Sequence, residues 1–288
     1  MTSITIHNLS KSYGDTRAVQ HLSLEVKKGE LFGLIGPDGA GKTTVFRMLT
    51  TLLLPDEGTA SIEGWDIVKD YKEIRKHVGY MPGRFSLYQD LTVEENLTFF
   101  ATVFGTTIAE NYDLIKDIYE QIKPFSNRRA GKLSGGMKQK LALCCALIHK
   151  PKVLLLDEPT TGVDVVSRKE FWEMLKKLKE QGISILVSTP YMDEASLCDR
   201  IALIQSGKVL STSTPEQIIA QYPTALYAVK APDLYALLKH LREHPNIDSC
   251  YPFGEYLHVT LKENTNIPIF EQQLKTTFPH LEWKAITP

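Results

Sequence analysis

The sequence predicts an α/β domain with a helical insertion, followed by a small α+β domain of ferredoxin-like order. Three observations carry that expectation. Strand and helix signals alternate through the first three quarters of the chain, the strands being short apolar runs such as 153–156 and 183–187. Between Leu91 and about Lys150 the signals are mainly helical. Past "STSTPEQIIAQYP" the pattern changes to six short elements in the order β-α-β-β-α-β.

Taken in order, "ITIHNL" and "LSLEVKKGE" alternate apolar and polar residues, as half-exposed strands do. "ELFGLIG" is a more apolar strand, then glycines, then the helical "KTTVFRMLTTLL". "DEGTASIEGWDI" holds a strand between turn signals. "TVEENLTFFATVF", "AENYDLIKDIYEQI" and "GGMKQKLALCCALIHK" supply the helical insertion. Strands return as "KVLLLDEP", "ISILVS" and "RIALIQ", the first two separated by the helix "VSRKEFWEMLKKLKEQG". "STPYMDEASLCD" reads as a strand end, a proline and the start of a helix from Tyr191. In the tail, "ALYAVKA", "IDSCY", "YLHVTL" and "LEWKAI" read as strands, with "PDLYALLKHLREHP" and "IPIFEQQLKTTF" as helices. The expected division is 1–222 and 223–288, with the helical subdomain at about 84–150.

Composition bounds the function. The chain has 288 residues, 43% hydrophobic and 23% charged, which is ordinary for a globular protein. A formal net charge of -1 gives no electrostatic case for nucleic acid as the main partner. Cys144, Cys145, Cys198 and Cys250 lack metal-ligand spacing and read as buried free thiols in a reducing compartment. The N-terminus has no apolar signal core, which argues against export. No apolar run approaches the ~20 residues of a membrane span. His240, His244 and His258 are scattered and read as surface or packing residues.

"GPDGAGKTT" fits G-x-x-x-x-G-K-[ST] in full, between a strand and a helix. Gly36, Pro37, Asp38, Gly39, Ala40 and Gly41 form a loop whose N–H groups can wrap a phosphate, because glycines put no Cβ in the way. The helix N-terminus adds a partial positive charge. Lys42 is placed to reach the β- and γ-phosphates, the Thr43 hydroxyl to ligate Mg²⁺, and Thr44 closes the motif. "LLLDEP" supplies acids at the end of a buried strand, where they are costly unless they meet a cation or ligand. Asp157 is the candidate for the Mg²⁺ shell, and Glu158 for orienting and deprotonating the attacking water.

A third motif narrows the class. In "LSGGMKQK", Ser134 can cap a helix whose first N–H groups Gly135 and Gly136 leave open, an anion site without its own lysine. Together the three motifs resemble the ATP-binding domain of ABC transporters, over roughly residues 2–220. The resemblance implies that Tyr13 stacks on adenine. It implies that Ser134, Gly135 and Gly136 close over the γ-phosphate of an opposite subunit, and that Asp164 lies on the loop linking two sites across a dimer. It further implies ATP and Mg²⁺ as ligands and a second ATP-binding domain as partner, in a homodimer or heterodimer. A single such domain with a small extension looks like the subunits that serve separate ABC-2 type permeases, often drug or polymer exporters. The expected place is then the inner face of the cell membrane, with Phe85, Leu87, Tyr88 and Leu91 as docking residues. Related exporters often continue briefly beyond the point where this chain ends.

Two residues depart from the family pattern. Gly83 stands where "GYMP" is usually followed by a glutamine that contacts metal and water, and Gln89 is six positions too late to replace it. Pro190 stands where the family has its γ-phosphate histidine, and proline has no side-chain hydrogen-bonding group. The expected behaviour is normal ATP-Mg²⁺ binding with slow hydrolysis. The alternatives to an exporter ATPase are a weakly hydrolysing regulatory subunit and a soluble ABC factor without a permease.

Overall fold

A computed structural model describes residues 1–83, 87–221, 225–263 and 265–286. The chain divides into two compact units, Met1–Pro215 and Glu216–Pro288. In the first unit the strands are β1 (Thr2–Tyr13), β2 (Thr16–Lys27), β3 (Leu31–Ile35), β4 (Glu57–Ile62), β5 (Trp65–Asp66), β6 (Val78–Met81), β7 (Val153–Asp157), β8 (Ser184–Thr189), β9 (Arg200–Gln205) and β10 (Lys208–Ser213). The helices are α1 (Lys42–Leu49), α2 (Tyr71–His77), α3 (Val93–Val103), α4 (Tyr112–Ile122), α5 (Gly135–Leu147), α6 (Val165–Glu180) and α7 (Met192–Ala195). A further short helix, α8 (Pro215–Ala220), follows at the division between the units.

Two sheets organise this unit. β2-β1-β4-β5 is antiparallel, and β10-β9-β3-β8-β7-β6 is parallel except for its β10 edge. β3, β7 and β8 are buried at every position, as the apolar runs require of strands covered on both faces. Side chains from both sheets and from α1 share one core around Phe32, Phe46, Leu155 and Leu186. Because β3, β8 and β7 are parallel neighbours, their carboxyl ends lie side by side, which is where ligands sit in open α/β sheets. The 84–150 insertion supplies α3, α4 and α5, with a capping box at Thr92 and Glu95 opening α3. The helix expected from Tyr191 is shorter than its pattern implied. Tyr191 is the N-cap of the four-residue α7, which gives way before β9 begins at Arg200.

The second unit contains β11 (Leu226–Lys230), α9 (Leu234–Glu243), β12 (Ile247–Phe253), β13 (Tyr256–Leu261), α10 (Ile267–Thr277) and β14 (Glu282–Ile286). Its antiparallel sheet has the order β12-β13-β11-β14, the split βαβ arrangement of a ferredoxin-like fold. Leu237, Leu241, Phe270 and Leu274 of the two helices pack on Val229, Leu257 and Val259. His240 and His244 pack against Phe278 and Phe270, and no metal-binding cluster occurs among the described residues.

Candidate functional site: a phosphate loop facing two acids

The loop between β3 and α1 can exist only with glycine at certain points. A Cβ on Gly36 would lie 2.1 Å from the Ile204 carbonyl oxygen, and one on Gly41, at φ 102°, would lie 2.3 Å from that of Ala18. The first sheet therefore braces the loop through β2. A second brace is the Gly207 N–H, which donates to the Ala40 carbonyl at 3.0 Å. Gly36 N–H donates to the Thr189 carbonyl at the end of β8, at 3.3 Å. Lys42 opens α1 and is 2% exposed. Its Nζ donates to the carbonyls of Gly36 (2.8 Å) and Pro37 (3.0 Å) and stands 3.0 Å from Glu158 Oε1. The ammonium thus closes over the hollow of its own loop.

Asp157 ends β7 and is 3% exposed. Burial pushes its carboxyl up from the usual carboxylate range. Hydrogen bonds from Ser188 and Thr43 and the Lys42 charge oppose that rise, while the Glu158 charge adds to it. The Tyr80 phenol is pushed up to about 12, first by burial and then by the Asp157 charge. Glu158 follows in the left-handed region, at φ 51°. For a non-glycine residue that conformation costs roughly 1–2 kcal/mol. Its N–H is held by Ser188, through Oγ at 3.0 Å and the carbonyl at 3.2 Å.

Ser134 caps α5 by accepting from Met137 N–H at 3.4 Å. A Cβ on Gly136 would come within 2.4 Å of Ser167 Oγ, so the first turn of α5 needs glycine to lie this close to α6. Asp164 is the N-cap of α6, and the Ser167 N–H at 3.0 Å holds its carboxyl below the ordinary range. These two motifs are neighbours within the chain. Among the described residues, no hydrogen bond or ion pair joins Ser134, Gly135, Gly136 or Asp164 to the phosphate loop. Tyr13 ends β1 with 46% of its surface exposed.

Gly83 and Pro190 stand at the edge of the same site. A Cβ on Gly83 would lie 2.9 Å from the Asp157 carbonyl, closer than side chains normally come. Gln89 is held elsewhere, its carbonyl accepting from Gly131 N–H at 2.8 Å. Pro190 is half-buried just beyond Thr189. Sequence reasoning missed what surrounds it. Glu194, 2% exposed, accepts from Thr160 Oγ1 (2.8 Å), Thr189 Oγ1 (2.5 Å) and Arg168 Nε (3.0 Å). The Arg168 guanidinium also pairs with Asp193 at 2.9 Å and lies over the Tyr191 ring. The available signal was a pair of acids three and four residues after a proline.

Of the expected docking residues, Leu87 is only 8% exposed and belongs to the interior. The apolar periodicity of that stretch did not distinguish a core leucine from a surface one. Phe85 lies outside the described residues. Tyr88 is exposed and packs against Phe99, while Leu91 is half-buried. A groove of about 590 Å³ lies nearby, lined by Leu52, Tyr80, Pro82, Phe100, Val103 and Phe104 among others.

The model of the ABC transporter family matches residues 19–161, which include the phosphate loop, the Ser134 motif and Asp157. The Nod factor export ATP-binding protein I of Burkholderia lata is 37% identical over 276 residues, covering 92% of this chain and 91% of that protein. This chain belongs to the ABC transporter family of ATP-binding subunits. The probable multidrug ABC transporter ATP-binding protein YbhF of Escherichia coli K12 is 43% identical over 222 residues. That match covers 76% of this chain but only 38% of YbhF, so the chain spans less than half of that relative. A dimeric bacterial ABC transporter cassette superposes with a TM-score of 0.66 at 26% identity, covering 74% of this chain and 98% of the cassette. No helix among the described residues is long and apolar enough to cross a membrane.

Proposed function

We propose that this ABC-family chain binds ATP with Mg²⁺ at residues 36–44 and hydrolyses it to drive a separate membrane permease, as the ATPase of an exporter. The observation that carries the reading is the Lys42–Glu158 pair. A buried ammonium lies 3.0 Å from a carboxylate on a loop whose Gly36 and Gly41 admit no side chain. The donor set fits a nucleotide triphosphate. N–H groups of the loop and of the α1 N-terminus would take phosphate oxygens, and Lys42 would exchange the Gly36 and Pro37 carbonyls for the β- and γ-phosphates. Thr43 and Asp157, which already face each other, fit a hard divalent cation. Held by Thr43 and Asp157, such a cation would supply charge neutralisation for the transferring phosphoryl group. Glu158 would then orient the attacking water and accept its proton.

Tyr13 would stack on adenine. Among the described residues, no hydrogen bond or ion pair joins Ser134, Gly135, Gly136 or Asp164 to the phosphate loop of their own chain, which supports a head-to-tail pair with a second ATP-binding domain. The dimeric cassette is consistent with such a pair. The groove beside Pro82 would receive an apolar helical turn from a cytoplasmic loop of the permease. Its Pro82 is followed by Gly83, where a Cβ would lie 2.9 Å from the Asp157 carbonyl, so occupancy there would act close to the site. The chain would then lie on the cytoplasmic face of the membrane. A second reading, a weakly hydrolysing regulatory subunit, is favoured by Gly83 and Pro190, which stand in place of a glutamine to metal and water and a histidine to the γ-phosphate.

The test is ATP turnover by the full chain, alone and in vesicles with a co-expressed polytopic partner. The reading expects ATP-dependent dimerisation and turnover that rises at least several-fold with the permease. ATP binding without stimulation by any membrane partner would overturn the transport reading and favour the regulatory one. Failure to bind ATP would overturn the site itself.

A further inference from the structure

One hydroxyl touches both candidate acids, and it lies two residues before the proline. Ser188 is the register partner of Asp157 across β7 and β8 and is fully buried. Its Oγ donates to Asp157 Oδ1 at 2.7 Å and accepts from the Glu158 N–H at 3.0 Å. Ser188 follows the apolar run 185–187 of β8, a strand whose other hydroxyls, Ser184 and Thr189, are buried too. A buried hydroxyl is tolerated where both its donor and its acceptor capacity are used, and here both are.

We propose that Ser188 is the positioning residue of this site, setting the Asp157 carboxylate for the divalent cation and holding Glu158 in its left-handed turn. The inference rests on the phosphate-loop reading above. Two constraints act on Glu158: Ser188 fixes its backbone, and Lys42, 3.0 Å from Oε1, draws its carboxylate towards the loop. On Asp157, Ser188 occupies one carboxylate oxygen from within the sheet while the Thr43 hydroxyl approaches from α1. A carboxylate held on one oxygen presents the rest of its lone pairs in a fixed direction, which is how outer contacts orient a metal ligand. The role falls to the strand itself, since Pro190 offers the site no side-chain donor.

The experiment compares the parent chain with Ser188→Ala and Ser188→Thr, using Mn²⁺ as probe. Mn²⁺ binding in the presence of ATP is read by electron paramagnetic resonance, beside steady-state kcat and KM for ATP. Loss of an outer contact to a metal ligand typically weakens affinity or activity about 10–100-fold. Ser188→Ala is therefore expected to weaken Mn²⁺ binding about tenfold and lower kcat by a similar factor, with KM within about twofold. Ser188→Thr, which restores the hydroxyl, should recover both. If Ser188→Ala does not fold, Ser188→Cys, of similar size with a weak donor, is read by the same criteria. Mn²⁺ affinity and kcat within twofold of the parent overturn the role of Ser188 alone. A folded Ser188→Thr without recovery does the same. A parent chain that binds no Mn²⁺ with ATP overturns both this role and the phosphate-loop reading.

Discussion

Lys42 Nζ stands 3.0 Å from Glu158 Oε1, and the same ammonium donates to two carbonyls of its own loop. A buried cation, an acid in a left-handed turn and a glycine-bound loop thus meet at one point. The arrangement resembles a clasp whose contacts can be exchanged for phosphate oxygens at little cost in side-chain ordering.

Lys42→Ala removes the buried cation that faces the loop and leaves Glu158 without its ion-pair partner. ATP affinity, read by calorimetry or a fluorescent analogue, should fall at least tenfold. The conservative Lys42→Arg should also fail, because a planar fork does not fit the hollow that a point charge fills. Retention of parental affinity by either variant would show that the phosphates bind elsewhere.

Pro190→His should raise steady-state ATP turnover. Restoring one lost electrostatic donor is worth about 10²–10³ in rate at most, and a tenfold rise is a sufficient sign. Pro190 is half-buried, so the added ring need not displace core atoms. Gly83→Gln is expected to behave differently. Its Cβ would enter within 2.9 Å of the Asp157 carbonyl, so the variant should lower Tm and slow turnover rather than complete the site. Equal rates for Pro190→His and the parent would mean that this position does not limit hydrolysis.

The motifs that carry dense local chemistry were legible in the sequence. The 36–44 loop is specified by residues close in the chain and by backbone conformations open chiefly to glycine. Six short elements of the C-terminal unit announced their order through period and turn signals, and the sheet order follows from that topology. Ser188 and Glu194 were not legible, since their partners lie 26 to 34 residues away in the principal cases. Leu87 was misjudged for a related reason: an apolar residue in a loop declares its type but not which side of the chain the core lies on.

His149 gives a pH dependence with a defined sign. Its ring stacks on Phe104, Nε2 faces the Val78 carbonyl at 3.3 Å, and Nδ1 is buried without a hydrogen-bond partner among the described residues. Burial holds the folded-state pKa down at about 4, against an ordinary value of 6.5. Between those values the unfolded chain binds the extra proton. This contribution to stability is therefore complete above about pH 6.5 and is lost as pH falls towards 4. At about 1.4 kcal/mol per pKa unit, the full loss is roughly 3 kcal/mol. Urea midpoints measured from pH 7 to 5 should fall more steeply for the parent than for His149→Phe, which keeps the stack and cannot take a proton. Parallel slopes would remove His149 from the account.

The Glu194 cluster yields a stability prediction separate from catalysis. Its carboxylate joins the end of β8 at Thr189, the loop at Thr160 and helix α6 at Arg168, all within 3.0 Å. Breaking a buried pair by removing one partner typically costs about 3–5 kcal/mol, because the other charge is left without compensation. Here Arg168 keeps Asp193 and the Tyr191 ring, so Glu194→Ala should fall at the lower end, about 3 kcal/mol. Arg168→Met should cost less, because Glu194 retains two hydroxyl donors. In a double-mutant cycle, Glu194→Ala with Thr160→Val should be less than additive, since the two side chains share one hydrogen bond. Strict additivity in urea denaturation would mean that Thr160 and Glu194 act independently, and the cluster would reduce to its Thr189 and Arg168 contacts.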